Sequence, residues 1–421
     1  MKRVLFITYY WPPSGKASLH WPLKMIKYLP DSGWKPSVIT INEDSFSTKD
    51  ESLLAEIDPS LQVVKTKVLE PFDLYRTFLG KDKNSPLIAS ETISLENKGL
   101  KHRLSIWIRM NLFVPDARIG WYPYAINEGK KLLNREKFDA IISIGPPHST
   151  HLIGMKLSKE FGVPFFPVFI DPWVDIIYYK NFKRNKLTLA LDNLLEKKVI
   201  KQSTKTIFVT QSMLEDYQKK YSFVKEKSEV LYWGYNEDDF FSLTKNRTDG
   251  TKTILHAGNI FDYQNIIPFW NQIKKEIDNG NKLKLKFIGT VSSLIKQSIS
   301  RAGLDACVEY CGFIPYSQVP QEMLNADYLL VCATEKRHLP GKLFEYLRTG
   351  NPIIAFGDDN KEIDEILRTT NAGKLFNYSD SAEDFFRFTS QFKTNYDVIK
   401  TFDRKYIAST LAGIMSQSVR P

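Results

Sequence analysis

Residues 339–351 read Leu-Pro-Gly-Lys-Leu-Phe-Glu-Tyr-Leu-Arg-Thr-Gly-Asn, with Pro352 next and the apolar run Ile353, Ile354, Ala355 and Phe356 behind it. Pro340 and Gly341 break the preceding chain and open a helix. Leu343, Phe344, Tyr346 and Leu347 supply its buried side, Gly350 closes it in the C′ position, and Pro352 prevents continuation. A helix that delivers the chain straight into a buried strand is one step of an alternating strand and helix fold. Glu345 is the lone acid within this apolar turn. A helix start offers N–H groups and a positive dipole end to an anion. A carboxylate one turn further in can accept hydrogen bonds from vicinal hydroxyls. Together these are the grips a sugar nucleotide requires; the plainer alternative is a capped helix with a solvated glutamate.

The same alternation extends outward in both directions. Short apolar runs, many rich in β-branched residues, occur at 4–8, 38–41, 140–144, 165–170, 207–210 and 230–233. A second series occurs at 254–256, 285–288, 308–310, 328–332 and 353–356. Helix-length patterns such as 187–201 and 267–277 lie between them. Two series of this kind predict an α/β protein with two doubly wound, Rossmann-like domains, each a parallel sheet covered on both faces. The break falls in the polar stretch 242–250. The expected domains are 1–245, 246–400 and a C-terminal helix at 401–421. Residues 73–100 form a polar insertion with weak periodicity.

Composition narrows the class further. A chain of 421 residues exceeds one ordinary core. Its 43% hydrophobic and 25% charged content is that of a soluble globular protein, and no apolar run is long enough to span a bilayer. The three cysteines, without a paired framework, fit a reducing cytosol. Cys307 and Cys311 have no histidine or second pair nearby to make a metal site, so no metal and no cofactor are expected. The net charge of +10 points to an anionic partner. No nucleic-acid-binding signature accompanies it. Residues 101–109 and 180–186 mix cations with large apolar groups. Such segments suit an anionic membrane surface or, equally, a core helix whose long side chains snorkel to water.

Chemistry-bearing residues gather after the strands, where doubly wound sheets bind ligands. After the first strand, Pro12-Pro13-Ser14-Gly15 makes a loop whose backbone can approach a ligand closely. After 140–144 comes Gly145-Pro146-Pro147-His148-Ser149-Thr150-His151. There His148 and Ser149 can donate to phosphate or a sugar hydroxyl, or His148 can be a structural hydrogen-bonder. After 165–170, Asp171-Pro172-Trp173 sets an acid beside an indole. Asp171 either faces the ligand or caps a helix opened by Pro172. In the second series, Gly258-Asn259 follows the first strand, and Glu335, Arg337, His338 and Lys342 follow the fourth. Arg337, His338 and Lys342 bring cations near the expected phosphates.

Taken together, these pieces resemble a GT-B-fold glycosyltransferase, similar to glycosyltransferase family 4 and the bacterial enzymes that build surface polysaccharides. The matching segments also include Val114-Pro115-Asp116-Ala117-Arg118-Ile119-Gly120-Trp121 and Gly234-Tyr235-Asn236, so they span nearly the whole chain. The resemblance implies two domains facing across a cleft and a metal-independent, hexosyl-type transferase acting with retention. It implies a nucleotide-sugar donor held by Gly15, Gly258, Asn259, Glu335, Arg337, Gly341 and Glu345, with Glu345 on the ribose. His148, Asp171 and Lys342 are then the expected catalytic residues. The resemblance also implies a glycan or lipid-linked acceptor and a cytoplasmic setting, on the inner face of a membrane if the basic segments bind it. Family members usually carry a second glutamate eight residues before the one matched by Glu345. Here that position is Arg337, with Glu335 two residues earlier. A nucleotide-sugar epimerase or hydrolase, or a non-catalytic scaffold, are the alternatives.

Overall fold

The computed structural model describes residues 1–46, 49–69, 106–108, 110–176, 184–246 and 250–419. The insertion at 73–100 lies outside these residues, as does most of the basic segments 101–109 and 180–186. The chain divides into two compact units, residues 1–232 with 408–421, and residues 233–407; the sequence pattern set these divisions at 245/246 and 400/401.

The first unit is a seven-stranded sheet ordered β3-β2-β1-β4-β5-β6-β7. Its strands are β1 (Lys2–Ile7), β2 (Trp34–Ile41), β3 (Gln62–Thr66), β4 (Ala140–Gly145), β5 (Phe165–Phe169), β6 (Thr206–Phe208) and β7 (Ser228–Val230). Its helices are α1 (His20–Tyr28), α2 (Tyr122–Arg135), α3 (Ser149–Phe161), α4 (Lys186–Gln202) and α5 (Gln211–Lys220). The second unit has six strands ordered β10-β9-β8-β11-β12-β13. They are β8 (Lys252–Ala257), β9 (Leu283–Ile288), β10 (Val308–Gly312), β11 (Tyr328–Cys332), β12 (Ile353–Phe356) and β13 (Gly373–Phe376). Its helices are α6 (Ile267–Asp278), α7 (Ser293–Arg301), α8 (Val319–Asn325), α9 (Lys342–Thr349), α10 (Lys361–Thr370), α11 (Glu383–Phe388) and α12 (Tyr396–Ile399). The last helix, α13 (Arg404–Ser418), starts in the second unit and ends in the first.

Every strand pairing is parallel. The central strands are buried on both faces, as β4 and β12 are throughout, which is why they read as unbroken apolar runs. In each sheet the order reverses once, at β1/β4 and at β8/β11. A reversal opens a crevice above the strand ends, because the two following connections leave toward opposite faces. No helix among the described residues is long and apolar enough to cross a membrane.

Three local expectations change. The run at 230–233 does not form a strand: β7 ends at Val230. Edge strands β3 and β13 are additional; both are half-exposed rather than continuously apolar. Pro172 opens no helix, so Asp171 is not a cap; residues 171–175 form a bend and turn.

Candidate functional site

At the reversal of the second sheet, β8 ends at Ala257 and the chain turns through Gly258 at φ +114°. Next to it β9 ends at Ile288 and the chain turns through Gly289 at φ +102°, where a Cβ would lie 2.8 Å from the Gly258 backbone. The two strand ends meet this closely because Gly289 carries no side chain. On the other side β11 ends at Cys332 and leads through residues 334–340 into α9.

Lys342, the first residue of α9, sends its side chain back to β8. A Cβ on Gly258 would stand 2.6 Å from Nζ. The ammonium lies 3.2 Å from His256 Nε2, while His256 Nδ1 lies 3.0 Å from the Leu330 carbonyl. A carbonyl only accepts, so Nδ1 carries the ring proton and Nε2 offers its lone pair to the ammonium. Burial pushes His256 well below the usual imidazole range, with the Lys342 charge adding to the effect. Burial also pulls Lys342 down to about 8. Burial raises the Cys332 thiol to about 12 against the opposing Lys342 charge, so it stays protonated beside this cation.

The start of α9 has the form expected of an anion cradle. Leu343 and Phe344 direct their N–H groups to the Pro340 and Gly341 carbonyls. The Gly341 and Lys342 N–H groups make no such turn bond among the described residues. Gly341 is also a close-packing position: a Cβ there would be 2.9 Å from the Trp233 indole. Glu345 follows one turn in, half-buried, and accepts from the Tyr316 hydroxyl at 2.7 Å. Burial raises its carboxyl, while the Tyr316 bond and the Arg404 charge oppose that rise.

Glu335, half-buried, and Arg337, exposed, lie in the loop after β11. Asn360 donates to the Glu335 and His338 carbonyls at 3.1 and 2.8 Å, which fixes the loop's path. His338 does not supply a cation as expected. Its Nδ1 accepts from the Thr334 N–H at 3.0 Å, and burial lowers it to about 4. Asn259 is exposed, with Oδ1 accepting from the Thr290 N–H at 3.0 Å.

In the first unit, the turn after β4 and the bend after β5 are joined by the Ile170 N–H donating to the Gly145 carbonyl at 2.8 Å. The His148 ring stacks on the Trp173 indole at 5.1 Å and 7°, and His151 stacks on Phe169 at 4.6 Å. Both rings crowd Gly145, where a Cβ would be 2.4 Å from His151 Nε2 and 2.8 Å from His148 Nδ1. His148 is buried, and among the described residues its nitrogens have no hydrogen bond of normal geometry, the Pro172 backbone offering only a weak one. Burial lowers it to about 3, so it is neutral. Burial, with no donor set against it, pushes Asp171 up to about 6. Ser149 is not available to a ligand: its N–H and hydroxyl both donate to Asp116, at 2.9 and 3.1 Å. The Asp116 carboxyl thus occupies the α3 helix start itself. Gly15 is exposed after β1, beside Ser14, which pairs with Lys49. No hydrogen bond among the described residues ties Gly15 to His148 or Asp171.

The bend carrying Asp171 is held by buried carboxylates of α4. Trp173 donates its Nε1–H to Asp192 at 2.9 Å, and Arg184 pairs with the same carboxylate. Glu196 accepts from the Val174 N–H, the Tyr217 and Tyr221 hydroxyls and the Lys220 ammonium, at 3.2, 2.7, 2.8 and 2.6 Å.

The sequence assigned Gly15, Gly258, Asn259, Glu335, Arg337, Gly341 and Glu345 to the donor and His148, Asp171 and Lys342 to catalysis; the structure sets Gly258, Gly341, Lys342 and Glu345 around the strand ends of the second unit, and His148 and Asp171 after strands of the first. Sequence reasoning assigned no role to His256, Tyr316, Trp233, Asp116 or Glu196. The signal for His256 was in plain view: an imidazole in an otherwise apolar central strand.

Residues 251–392 match the sequence family described as "Glycosyl transferases group 1". No curated protein matches the chain in sequence. Its fold is shared with HepE of Anabaena, solved with UDP and glucose, at 13% identity and TM-score 0.61, covering 99% of this chain and 100% of that one. It is shared with the lipopolysaccharide outer core galactosyltransferase WaaB, at 13% identity and TM-score 0.57, covering 99% of each. It is also shared with WaaG, a glycosyltransferase involved in lipopolysaccharide biosynthesis, at 12% identity and TM-score 0.56, covering 98% and 99%. The two doubly wound units are those of the GT-B fold.

Proposed function

We propose that this chain, with a group 1 glycosyl transferase sequence at residues 251–392 on a GT-B fold, is a retaining glycosyltransferase. It moves a sugar, of hexosyl type, from a nucleotide-sugar donor to a glycan or lipid-linked acceptor in surface polysaccharide synthesis. The observation that carries this reading is the Lys342 ammonium lying against Gly258 at the start of α9, with Glu345 one turn on. A diphosphate at that crevice meets a cation, two helix N–H groups and a side-chain-free strand end, with the ribose hydroxyls toward Glu345. Gly15, Asn259, Glu335 and Arg337 are assigned to the donor as well, and His148 and Asp171 to orienting the reacting sugar or acceptor.

In the reaction the bond between the sugar and the diphosphate breaks, and negative charge grows on the leaving phosphate. Lys342 and the Gly341 and Lys342 N–H groups stabilise that charge, so no metal is required of the protein. The acceptor oxygen bonds to the sugar carbon, and its proton passes to the leaving phosphate oxygen. His148, being neutral, acts as a hydrogen-bonding group and not as a cation. Asp171 is ionised at pH 7 and takes up a proton in mildly acidic solution. The protein is placed by this reading in the cytoplasm, peripheral to a membrane.

The test is nucleoside diphosphate release from a panel of nucleotide sugars, starting with UDP-glucose because HepE was solved with it. Release from one donor is expected, stimulated by cell-envelope lipid. In Glu345→Ala it should fall roughly 10- to 100-fold, the worth of hydrogen bonds to a charged acceptor. No release from any donor by folded protein sinks the transferase reading. Release without any lipid or glycan dependence favours a hydrolase.

Gly258→Ala supplies an independent check on the phosphate site. Its positive φ costs a side chain about 1–3 kcal/mol, and the new Cβ displaces Nζ. The strain lowers stability, and because the ammonium is displaced, titration calorimetry should find nucleoside diphosphate affinity reduced by about tenfold or more, the loss of about 1.4 kcal/mol. Unchanged affinity would move the phosphates elsewhere.

A further inference from the structure

The Glu345 carboxylate is engaged at one oxygen before any ligand arrives. Its partner, Tyr316, lies beyond β10. Gly312 turns the chain there at φ +66°, and Pro315 leads into a short helical turn, Tyr316–Gln318, that runs on into α8. The Tyr316 ring is 44% exposed, and its hydroxyl donates to Glu345 Oε1 at 2.7 Å. That is the length of a hydroxyl bond to a carboxylate. Among the described residues it is the one hydrogen bond or ion pair that Glu345 makes, so Oε2 accepts from none of them.

The same hydroxyl lies 3.3 Å from Asp239 Oδ2. Asp239 is itself fixed, its Oδ1 accepting from the Asn236 side-chain amide at 2.6 Å. Arg348, one turn after Glu345 on α9, pairs with Glu237 of the same short segment, Glu237–Asp239. A phenol has one hydrogen and can donate it to one carboxylate at a time. The shorter distance gives it to Glu345. Burial, with the Glu345 and Asp239 charges adding, holds the phenol far above its usual range, so that hydrogen stays on it at neutral pH. On Glu345, burial and the Asp239 charge favour the protonated carboxyl. The Tyr316 bond is the largest influence against them, ahead of the Arg404 and Lys342 charges.

We propose that Tyr316 is a positioning residue for ribose recognition: its hydroxyl fixes Glu345 through Oε1, so that Oε2 is presented to the ribose hydroxyls of a nucleoside diphosphate. The inference rests on the assignment of Glu345 to the donor ribose and adds the group that aims the carboxylate. A glutamate held by nothing samples several rotamers and must lose that freedom on binding. Glu345, bonded from one side, offers the ligand a single arrangement. Preference for ribose over deoxyribose then depends on a residue that acts through Glu345.

Titration calorimetry of the full chain with UDP, ADP and GDP finds the diphosphate that binds best. Its 2′-deoxy and 3′-deoxy forms are then compared with it in wild type, Tyr316→Phe and Glu345→Ala. Wild type is expected to bind at least one deoxy form roughly 10- to 100-fold more weakly. Tyr316→Phe should lose about 3- to 10-fold for the ribose form and much less for that deoxy form, because the residue acts only on the ribose hydroxyls. As pH falls, the preference that remains should fade at a higher pH than in wild type, since the bond favouring ionised Glu345 is gone. A Tyr316→Phe protein with the full wild-type preference overturns the proposal. So does one that binds the ribose form more tightly, since the phenol then competes with the ligand. A uniform loss on ribose and deoxy forms also overturns it, by reducing Tyr316 to a packing role. If Glu345→Ala abolishes the preference while Tyr316→Phe keeps it, the donor assignment stands and only this inference falls. If wild type itself shows no preference, Glu345 does not hold the ribose, and both fall.

Discussion

Lys342→Ala is expected to reduce turnover by about 100- to 1000-fold, the usual effect of removing one group that meets transition-state charge. Donor affinity should fall by much less, because the helix start and the Gly258 turn remain. The structural reason is that the ammonium is buried between His256 and the end of β8 and is held there before any ligand arrives. A direction in pH follows. Burial has lowered Lys342 to about 8, so the charged form is full below that value and is lost as pH rises through it. Nucleoside diphosphate binding should therefore weaken above about pH 8, while a bound diphosphate draws the lysine's pKa back up. For stability the sign is opposite: between about 8 and the unperturbed lysine value the unfolded chain holds more protons, so this group's share of stability rises with pH there. Steady-state kinetics and calorimetry across pH 6.5 to 9.5, roughly one and a half units either side of that value, measure both. Equal losses in turnover and affinity would remove the transition-state role.

The largest effect on stability is expected at Glu196. Its carboxylate receives four donors, and two of them, Tyr217 and Val174, are buried. Glu196→Ala leaves these donors and the Lys220 ammonium without their acceptor, at a cost of about 3–5 kcal/mol. For a unit of this size that corresponds to a fall of roughly 10 °C in the midpoint of thermal unfolding. Glu196→Gln keeps acceptor geometry but not charge and should fall between. A shift near zero in the alanine variant would mean that water replaces the carboxylate. Since the Tyr217 hydroxyl that donates to Glu196 also accepts the Trp173 N–H at 3.0 Å, and His148 stacks on Trp173, partial loss of activity should accompany the loss of stability.

These residues also mark how far the sequence could be read. The central strands announce themselves because a parallel strand covered on both faces must be apolar throughout, as in residues 140–144 and 353–356. The edge strands do not: Gln62–Thr66 is fully buried only at Thr66, and Gly373–Phe376 offers two apolar residues in four. The helix at 342–349 was legible from its caps and apolar spacing, and with it Gly341, Lys342 and Glu345. What the sequence left hidden is pairing over long separations. Nothing local says that Lys342 turns back to His256, or that Asp116 reaches the helix start at Ser149. Helix α4 misleads more directly, because its leucines have the spacing of a core stripe and its acids the spacing of a solvated face. Only the donors arriving from residues 173–174, 184, 217, 220 and 221 reverse that reading. His338 illustrates the converse: as a formula it is a potential cation, and in its setting it is neutral.

The route of the chain has a consequence for how the molecule is made. Residues 233–407 are contiguous, whereas the first unit is complete only with residues 408–421. Ala408, Leu411 and Met415 of α13 are buried, and Ser416 meets the Trp34 indole at 3.2 Å. During vectorial synthesis the unit that begins later in the message can therefore finish first. The earlier unit must wait, with an apolar seam open, until residues 408–421 have been made.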